Sequence, residues 1–270
     1  MFPTSHGPLK LPKLDRPLRP YRAQLEAVAR PAWLLRCKRK QSSSRFVTHF
    51  GGSTPFAPRG DGWPECGEHR QPMQFIFQID FADFQGVGTF ADRGLLQFFI
   101  CHACGLLPQD SFRWRCRWYP EFNRDESPSI PQMDAPDLPI DTIGPYAVRP
   151  VPFLSVPAPY AVDHPISAER FNERVNDDDE CLWFIYANTD GFCLETDMYN
   201  RVGGYPPWIQ PNDETPLCPV CGQRAQFVAA LGGEDNKFEW GDDGYWYIFA
   251  CKATVGCPGL SRPLMAFQCH

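Results

Sequence analysis

Cysteine and histidine pairs with the spacing of metal ligands occur twice in the sequence. In each half, one pair precedes an apolar, strand-like stretch, and a second pair follows the next such stretch. The predicted ligands are Cys66, His69, Cys101 and Cys104 in the first half and Cys218, Cys221, Cys251 and Cys257 in the second half. Sulfur and imidazole nitrogen are donors that Zn²⁺ prefers, and four of them fill its tetrahedral coordination sphere. The sequence therefore predicts two structural zinc ions, with no coordination position left for a reactive water.

Each predicted metal site has an alternative interpretation. The cysteine set of the second half could be four buried thiols that lie near strand ends, but the recurrence of the pattern in both halves favours a metal. In the first half, His102 or Cys116 could replace His69 or another member of the set. The ligand set of the first half therefore stays open at this point.

Two catalytic interpretations of the cysteine pairs are disfavoured. A redox dithiol at Cys218 and Cys221 would be expected at the start of a helix in a βαβ unit, yet the residues that follow are typical of a strand. The combination of Cys66-x-Glu68 with Cys218-x-x-Cys221 imitates a deaminase signature. These pieces occupy equivalent positions in the two halves, so we expect them to belong to different sites. We predict no catalytic residue and no enzymatic activity.

The spacing of the two sets indicates an internal duplication. Cys66 and Cys218 are 152 positions apart, and so are His69 and Cys221. Gly-Gly at 51–52 and 203–204 precedes a proline and an aromatic residue in both halves. The segment 94–104 resembles 244–257, and each segment contains an apolar run that ends at a cysteine. We interpret the halves as one structural unit used twice.

Short strands must position these ligands. The segment MQFIFQIDF (73–81) alternates apolar and polar residues, as a half-buried strand does, and GLLQFFI and FRWRCRWY are further strands. CLWFIYA (181–187) is predicted to be a buried central strand, and Ser167 to cap a short helix. With 29 prolines and 21 glycines, long helices are disfavoured. We predict an α+β, β-rich fold of two similar, mainly antiparallel halves, each with a zinc-knuckle site, packed as one body.

The charge pattern and the prolines divide the chain. Residues 1–45 carry about +9, whereas the remainder carries about −15. We predict a basic N-terminal arm (1–45), a first repeat with the three-cysteine, one-histidine site (46–119), a proline-rich connector (120–165) and a second repeat with the four-cysteine site (166–270). No stretch has the apolar length of a signal-peptide core or a membrane span, so we expect a cytoplasmic protein without membrane contact. Twelve cysteines in a reducing compartment favour thiols or metal ligands over disulfides.

The chain resembles the YwqG-like family of bacterial proteins. The stretches FGGSTPF, QFIFQIDF, GLLQFFI and GGYPPWIQ carry the resemblance, which spans residues 46–119 and 166–270. That family shares a domain with eukaryotic programmed-cell-death-2-type proteins, which are regarded as chaperones of a nascent ribosomal protein, and bacterial members have been suggested to act in toxin immunity. The resemblance implies an α+β fold of two similar halves and no enzymatic activity. Gly203, Gly204, Pro207 and Trp208 would determine shape.

These features predict a non-catalytic, zinc-stabilised protein-interaction module. It would act as a chaperone or a toxin-immunity protein and bind a protein or peptide client. The acidic body suits a basic client through charge complementarity. Trp208 and Trp246 are the candidate binding residues, because aromatic side chains in a cleft hold extended peptides. The alternative is a zinc-ribbon accessory protein that binds nucleic acid through the basic arm, although the acidic body disfavours phosphate contacts.

Overall fold

Ten of the described strands form a single antiparallel sheet in the computed structural model of the chain. The centre of the predicted proline-rich connector, residues 125–144, lies outside the described residues. The structure describes residues 3–4, 7–40, 44, 46–52, 56, 62–84, 89–104, 114–124, 145–159, 161, 164–173, 181–187, 200–210, 212–232 and 244–269.

The elements are mostly short strands, in agreement with the abundance of proline and glycine. The strands are β1 (Pro3–Thr4), β2 (Gly7–Pro8), β3 (Arg30–Arg39), β4 (His49–Phe50), β5 (Gln74–Asp80), β6 (Leu95–Ile100), β7 (Trp114–Tyr119), β8 (Tyr146–Ser155), β9 (Arg201–Gly203), β10 (Gln226–Gly232), β11 (Tyr245–Ala250) and β12 (Leu264–Gln268). The α-helices are α1 (Arg22–Val28), α2 (Ala168–Phe171) and α3 (Leu182–Ala187), and short 3-10 helices span Arg16–Tyr21, Phe81–Phe84, His102–Cys104 and Gly259–Ser261.

From either edge toward the centre, the large sheet contains four strands in reverse chain order and then one strand of the other half. It runs β12-β11-β10-β9-β3-β8-β4-β5-β6-β7, while β1 and β2 form a separate two-stranded sheet. Four strands that are consecutive in the chain lie on each side of the central pair, β3 and β8. In this pair, β3 is bonded to β9 of the later half, and β8 is bonded to β4 of the earlier half. Each half therefore contributes one strand that pairs with strands of the other half.

The central position of β3 and β8 corrects two sequence interpretations. Residues 30–39 are not part of an arm, because they pair with β8 along ten positions and with β9 on the other side. Residues 146–155, assigned to the connector, form the partner strand. Leu18 and Leu25 are fully buried against Phe171 and Tyr186, so this part of the N-terminal segment packs on the body.

Local irregularities recur at equivalent positions of the two sheet halves. The register of β5 against β6 shifts between Phe75 and Phe77, and that of β10 against β11 shifts between Phe227 and Ala229. These positions are 152 residues apart, the same offset that relates the cysteine pairs. A bulge bends a strand and increases its twist. The matched bulges therefore bend the two ends of the sheet in the same way.

The sheet curls so that its two ends share one core. Phe98 of β6 and Trp246 of β11 are separated by six strands in the sheet order, yet their ring centroids are 5.5 Å apart. Lys252 also donates from Nζ to the carbonyl oxygen of Phe90 at 2.7 Å. A flat sheet could not make these contacts. The inner face is therefore the main apolar core, and it joins both halves.

Strand β5 is buried on both faces, whereas its alternation predicted a half-buried strand. Two of its polar residues, Gln78 and Asp80, have side-chain partners inside the protein. Gln78 donates to the carbonyl oxygen of Val47 at 3.0 Å and accepts from Gln97 at 2.8 Å, and Asp80 pairs with Arg124. Buried polar side chains are tolerated when they are hydrogen-bonded. Alternation therefore located the strand but did not reveal that its polar face is covered.

One strand prediction is wrong, because residues 182–187 form helix α3. Leu182 and Tyr186, one helical turn apart, are both buried against Phe171. A short apolar run fits a buried helix as well as a buried strand, and tertiary packing decides between them. The cap at Ser167 is confirmed, since its Oγ accepts from the backbone N–H of Arg170. No helix in the described part of the chain combines the length and the apolar character that a membrane crossing requires.

Candidate metal centres

A tight hairpin presents the first ligand pair of each cluster. In the first half, the N–H of Cys66 donates to Gln71 and the N–H of Arg70 donates back to Cys66. In the second half, Cys218 makes the same two bonds with Gln223 and Gly222. Isolated bridges close both hairpins at Glu65–Pro72 and Leu217–Arg224. The backbone therefore builds the same turn around both pairs.

The second ligand pair reaches the hairpin because of the strand register. The first residue of β5, Gln74, lies opposite the last residue of β6, Ile100. The hairpin precedes β5 and Cys101 follows β6, so antiparallel pairing brings both to the same end of the ladder. The register of Gln226 opposite Ala250 does the same for the second cluster. Sequence spacing and strand pairing thus converge on the same two sites.

The distances in the second cluster fit a single tetrahedral ion. Cys218 Sγ lies 3.9 Å from Cys257 Sγ, and Cys251 Sγ lies 3.6 Å from both Cys221 Sγ and Cys257 Sγ. A tetrahedral ion with metal–sulfur bonds of about 2.3 Å requires sulfur–sulfur distances of about 3.8 Å. All four sulfur atoms lie within 4.8 Å of one another. The set can therefore hold a metal ion without rearrangement of the fold.

The first cluster brings together the predicted three cysteines and one histidine. His69 Nδ1 lies 3.7 Å from Cys66 Sγ, 3.8 Å from Cys101 Sγ and 3.2 Å from Cys104 Sγ. A tetrahedral zinc ion requires sulfur–nitrogen distances of about 3.6 Å. Cys66 Sγ and Cys104 Sγ are 3.5 Å apart. His69 therefore completes a second set that can hold a metal ion.

The electrostatics of both clusters favour a cation at their centre. Burial, and then hydrogen bonds with Cys101 and Cys66, raise the pKa of the Cys104 thiol to about 12. In the second cluster, hydrogen bonds from Thr254, whose Oγ1 lies 3.1 Å from Cys257 Sγ, lower the pKa of the Cys257 thiol to about 6. A backbone hydrogen bond with Ala253 lowers the pKa of the Cys251 thiol, but burial and hydrogen bonds with Cys257, Cys221 and Cys218 outweigh it and raise that pKa to about 12. Neighbouring thiols in one small site therefore cannot all ionise easily by themselves. A divalent cation removes that conflict, because it binds the thiolates and displaces their protons.

The geometry separates the residues that had suggested a deaminase. Cys66 and Cys218 belong to different clusters, so the Cys66-x-Glu68 and Cys218-x-x-Cys221 pieces do not form one centre. Cys116 lies in strand β7 and packs against the main core. It is not one of the clustered ligands. The side chain of His102 lies outside the described part of the structure.

The two predicted binding tryptophans have different environments. Trp246 is 2% exposed and packs against Phe98 and Phe267 in the core between the halves. This position departs from the predicted binding role, because Trp246 is not accessible to a partner. Trp208 is also buried, but it lines an open cavity beside the second cluster together with Thr215. Thr215 was not predicted from the sequence as a site residue, although the offset of 152 residues between the halves aligns it with Trp63.

Comparison with known proteins identifies a family for most of the chain. The family described as "Domain of unknown function (DUF1963)" matches residues 48–269. The match includes both metal clusters and every strand from β4 to β12. A search of curated proteins finds no match to the sequence.

Proposed function

The chain belongs to the DUF1963 family, and from this premise we propose that it is a non-catalytic protein-interaction module stiffened by two zinc ions. Its role would be that of a chaperone or of a toxin-immunity protein, and it would bind a protein or peptide client. The single observation that supports this proposal is that each cluster supplies four protein ligands at tetrahedral distances. Four protein ligands are typical of structural zinc sites, whereas catalytic zinc sites keep one position for water or substrate.

The identity of the metal is proposed from the donors. Thiolate and imidazole ligands in a tetrahedral arrangement select zinc over magnesium or calcium, which prefer oxygen ligands. Each structural zinc would contribute on the order of 10 kcal/mol to folding. A contribution of this size would stabilise the two hairpins, each of which has few backbone hydrogen bonds of its own. A reducing compartment would keep the thiols available, so we propose the cytoplasm as the location.

An internal duplication would explain the paired features. The offset of 152 residues relates the two hairpins, the two bulges and the flanking strands β4/β9 and β5/β10. Under this proposal, residues 30–124 and 145–269 are two copies of one five-strand unit that exchange their first strands. The YwqG-like resemblance adds the expectation of two similar halves. Such a scaffold presents a rigid surface to a partner and needs no reaction centre.

The charge distribution favours a basic client. The chain beyond residue 45 carries about −15. Opposite charge accelerates encounter and selects partners. The alternative, nucleic-acid binding through the basic residues of segment 1–45, is disfavoured by the acidic remainder of the chain, because phosphate contacts require clustered positive charge. A protein client is therefore the partner class that we propose.

The proposal is tested by capture followed by reconstitution. The full chain, carrying an affinity tag, is expressed in its own organism, and captured proteins are identified by mass spectrometry. Each candidate is then purified and titrated against the zinc-loaded chain by calorimetry. We expect saturable binding by one protein or segment, with an affinity that falls as the salt concentration rises.

The controls separate the outcomes. The Cys269→Ser variant, which changes a cysteine outside both clusters, should bind the client as the unaltered chain does. If no purified candidate binds, or if nuclease treatment removes all captured material, the client hypothesis is wrong. Turnover of a captured small molecule by the purified chain would instead indicate an enzyme.

A further inference from the structure

A cavity of about 180 Å³ lies beside the second metal cluster. Its walls include Ala225, Phe227 and Phe249, together with Trp208 and Thr215. Arg224 and Arg30, which also line it, are exposed, so the cavity opens to solvent. Polar and apolar atoms contribute nearly equal parts of the wall: aromatic and other apolar side chains line one part, and charged side chains, including Arg30, Asp213 and Arg224, line the rest.

The equivalent place in the first half is filled by a tryptophan. Trp63 precedes Pro64 in the first hairpin, and Thr215 precedes Pro216 in the second. The backbone is the same at both places, because the carbonyl of each proline accepts from the first residue after its hairpin. These bonds are Met73 N–H to Pro64 at 2.8 Å and Ala225 N–H to Pro216 at 2.9 Å. Thr215 therefore occupies the position that Trp63, with its indole ring, occupies in the first half.

Trp63 packs on the counterparts of the residues that line the cavity. Its ring meets that of Phe99 edge to face, with centroids 5.6 Å apart, and its Nε1–H donates to the carbonyl oxygen of Met73 at 2.8 Å. Phe75 and Phe99 belong to the same small core. By the offsets of the two halves, Phe75 corresponds to Phe227 and Phe99 to Phe249. An indole is thus already seated on this type of surface within the same chain.

Two smaller residues leave the second site open. Thr215 replaces the indole of Trp63, and Ala225 replaces the long side chain of Met73. The two phenylalanines are kept, and their rings contact each other with centroids 5.7 Å apart. Thr215 is held at the edge of the cavity by Asp213, which accepts from its backbone N–H at 3.0 Å and from its hydroxyl at 2.7 Å. The side chain of Thr215 is therefore tied to its neighbour and does not fill the space.

We propose that this cavity receives an aromatic side chain, preferentially tryptophan, from the protein client. The inference rests on the proposed function and adds the residue type that anchors the partner. An apolar cavity of about 150 Å³ holds a benzene ring, so the space is adequate for an aromatic group. Buried aromatic anchors in pockets contribute most of the binding energy in many protein interfaces. The client would supply to this cavity the indole group that Trp63 supplies within the first half.

The probe for the test is fluorinated N-acetyl-tryptophanamide, observed by fluorine NMR during titration with the full zinc-loaded chain. We expect saturable broadening of the fluorine signal. N-acetyl-leucinamide should not displace the probe, because it lacks an aromatic ring to pack on Phe227 and Phe249. The variant Thr215→Trp should weaken probe binding at least about tenfold, since its own indole would fill the cavity. It should also raise the Tm, because a filled cavity restores packing contacts.

Two further variants make the test specific. Ala225→Met introduces the residue type of the equivalent position, Met73, and so narrows the cavity. It should also weaken binding of the probe. Gln24→Trp adds an indole on the exposed face of α1 and should leave probe binding unchanged. The inference is overturned if the unaltered chain gives no saturable broadening, or if neither Thr215→Trp nor Ala225→Met weakens it.

The outcome also separates this inference from the proposed function. A purified client that binds Thr215→Trp as tightly as the unaltered chain refutes the aromatic anchor and leaves the interaction module intact. If the probe binds as expected but no protein client exists, the proposed function fails.

Discussion

At the scale of single residues, the two hairpins show what each ligand pair requires. Arg70 and Gly222 occupy equivalent positions, and their φ angles are 54° and 70°. A left-handed residue at this position turns the backbone and allows both pairs of ligands to face one point. Glycine adopts that conformation without strain, while Arg70 adopts it in the first half at some cost. The turn is therefore kept in both halves even though the residue changes.

Loss of one ligand should remove one metal only. We expect Cys218→Ser and Cys66→Ser each to lower the metal-to-protein ratio from about two to about one, because each cluster supplies its own four ligands. Each variant should also have a lower Tm. Elemental analysis of purified protein measures the ratio, and Cys269→Ser, outside both clusters, serves as the control. A single variant that releases both metals, or neither, would contradict two independent sites.

A half-buried histidine should make the stability depend on pH. His164 accepts from the N–H of Ile166 at 3.0 Å and lies 3.1 Å from Tyr186 Oη, and burial lowers its pKa from 6.5 to about 4. The unfolded chain therefore binds this proton more readily between these two pH values. The contribution of His164 to stability is complete above pH 6.5 and is lost as the pH falls toward 4, with a total of about 3 kcal/mol.

Substitution of this histidine isolates its effect. His164→Asn keeps an acceptor near Ile166 but cannot titrate. Urea unfolding at several pH values should show a smaller loss of stability on acidification for the variant than for the unaltered chain. The difference between the two proteins removes contributions from the metal clusters and from His49, whose pKa is also lowered by burial. Parallel pH profiles would show that His164 is not the source.

At the scale of elements, the exchanged strands β3 and β8 hold the sheet together. Gly204, which follows β9, lies against both of them and has a φ of 76°. A Cβ at this position would stand 2.5 Å from Ser155 Cβ and 2.8 Å from Ala32 Cβ. These atoms are close to the backbone and cannot move away easily. The close approach of three strands therefore depends on this glycine.

Gly204→Ala should destabilise the protein more than an alanine at a glycine with similar backbone angles. We expect a loss of about 2–5 kcal/mol, from backbone strain and steric overlap together. Gly222→Ala is the matched control, since its φ is 70° and no atom lies within 4 Å of the added Cβ. That variant should lose only about 1–2 kcal/mol. If urea unfolding shows that both variants lose the same free energy of unfolding, the structure around Gly204 must adjust and remove the steric overlap.

At the scale of the whole molecule, neither half can complete its own sheet. The partners of β3 are β8 and β9, and the partners of β8 are β3 and β4. The main core also draws residues from both ends of the sheet, including Phe98 and Trp246. Unpaired central strands would expose backbone groups and apolar side chains to water. The two halves should therefore fold as one cooperative unit.

Fragments 1–124 and 145–270 test this dependence. Expressed separately, each should fail to give a folded monomer, because β3 or β8 then has no neighbour. Expressed together, they should form an equimolar complex with a single urea transition. Gel filtration and circular dichroism measure both properties, and the intact chain is the reference. A fragment that unfolds cooperatively as a monomer would show that its half is an independent domain.

The local sequence was sufficient for the ligand clusters and for the strands beside them. Alternation in MQFIFQIDF located β5, and the spacing of the cysteine pairs predicted the residues of both clusters, although it left open whether His69 completes the first one. Such patterns are local, because strand periodicity and a two-residue ligand spacing operate within a few positions. The same local signals were insufficient at CLWFIYA, where a short apolar run is compatible with either a buried strand or a buried helix.

By itself, then, the sequence indicated the β-rich composition and the cysteines of both clusters, while the remaining member of the first cluster stayed open. Only the tertiary structure decided that residues 30–39 lie in the centre of the sheet, that Trp246 is enclosed between the ends, and that Thr215 borders an open cavity. The physical reason is the distance along the chain. The pairing of residues 30–39 and the contact of Trp246 with Phe98 join residues more than a hundred positions apart. They depend on which faces can be buried together when the sheet curls, a choice that no local pattern specifies.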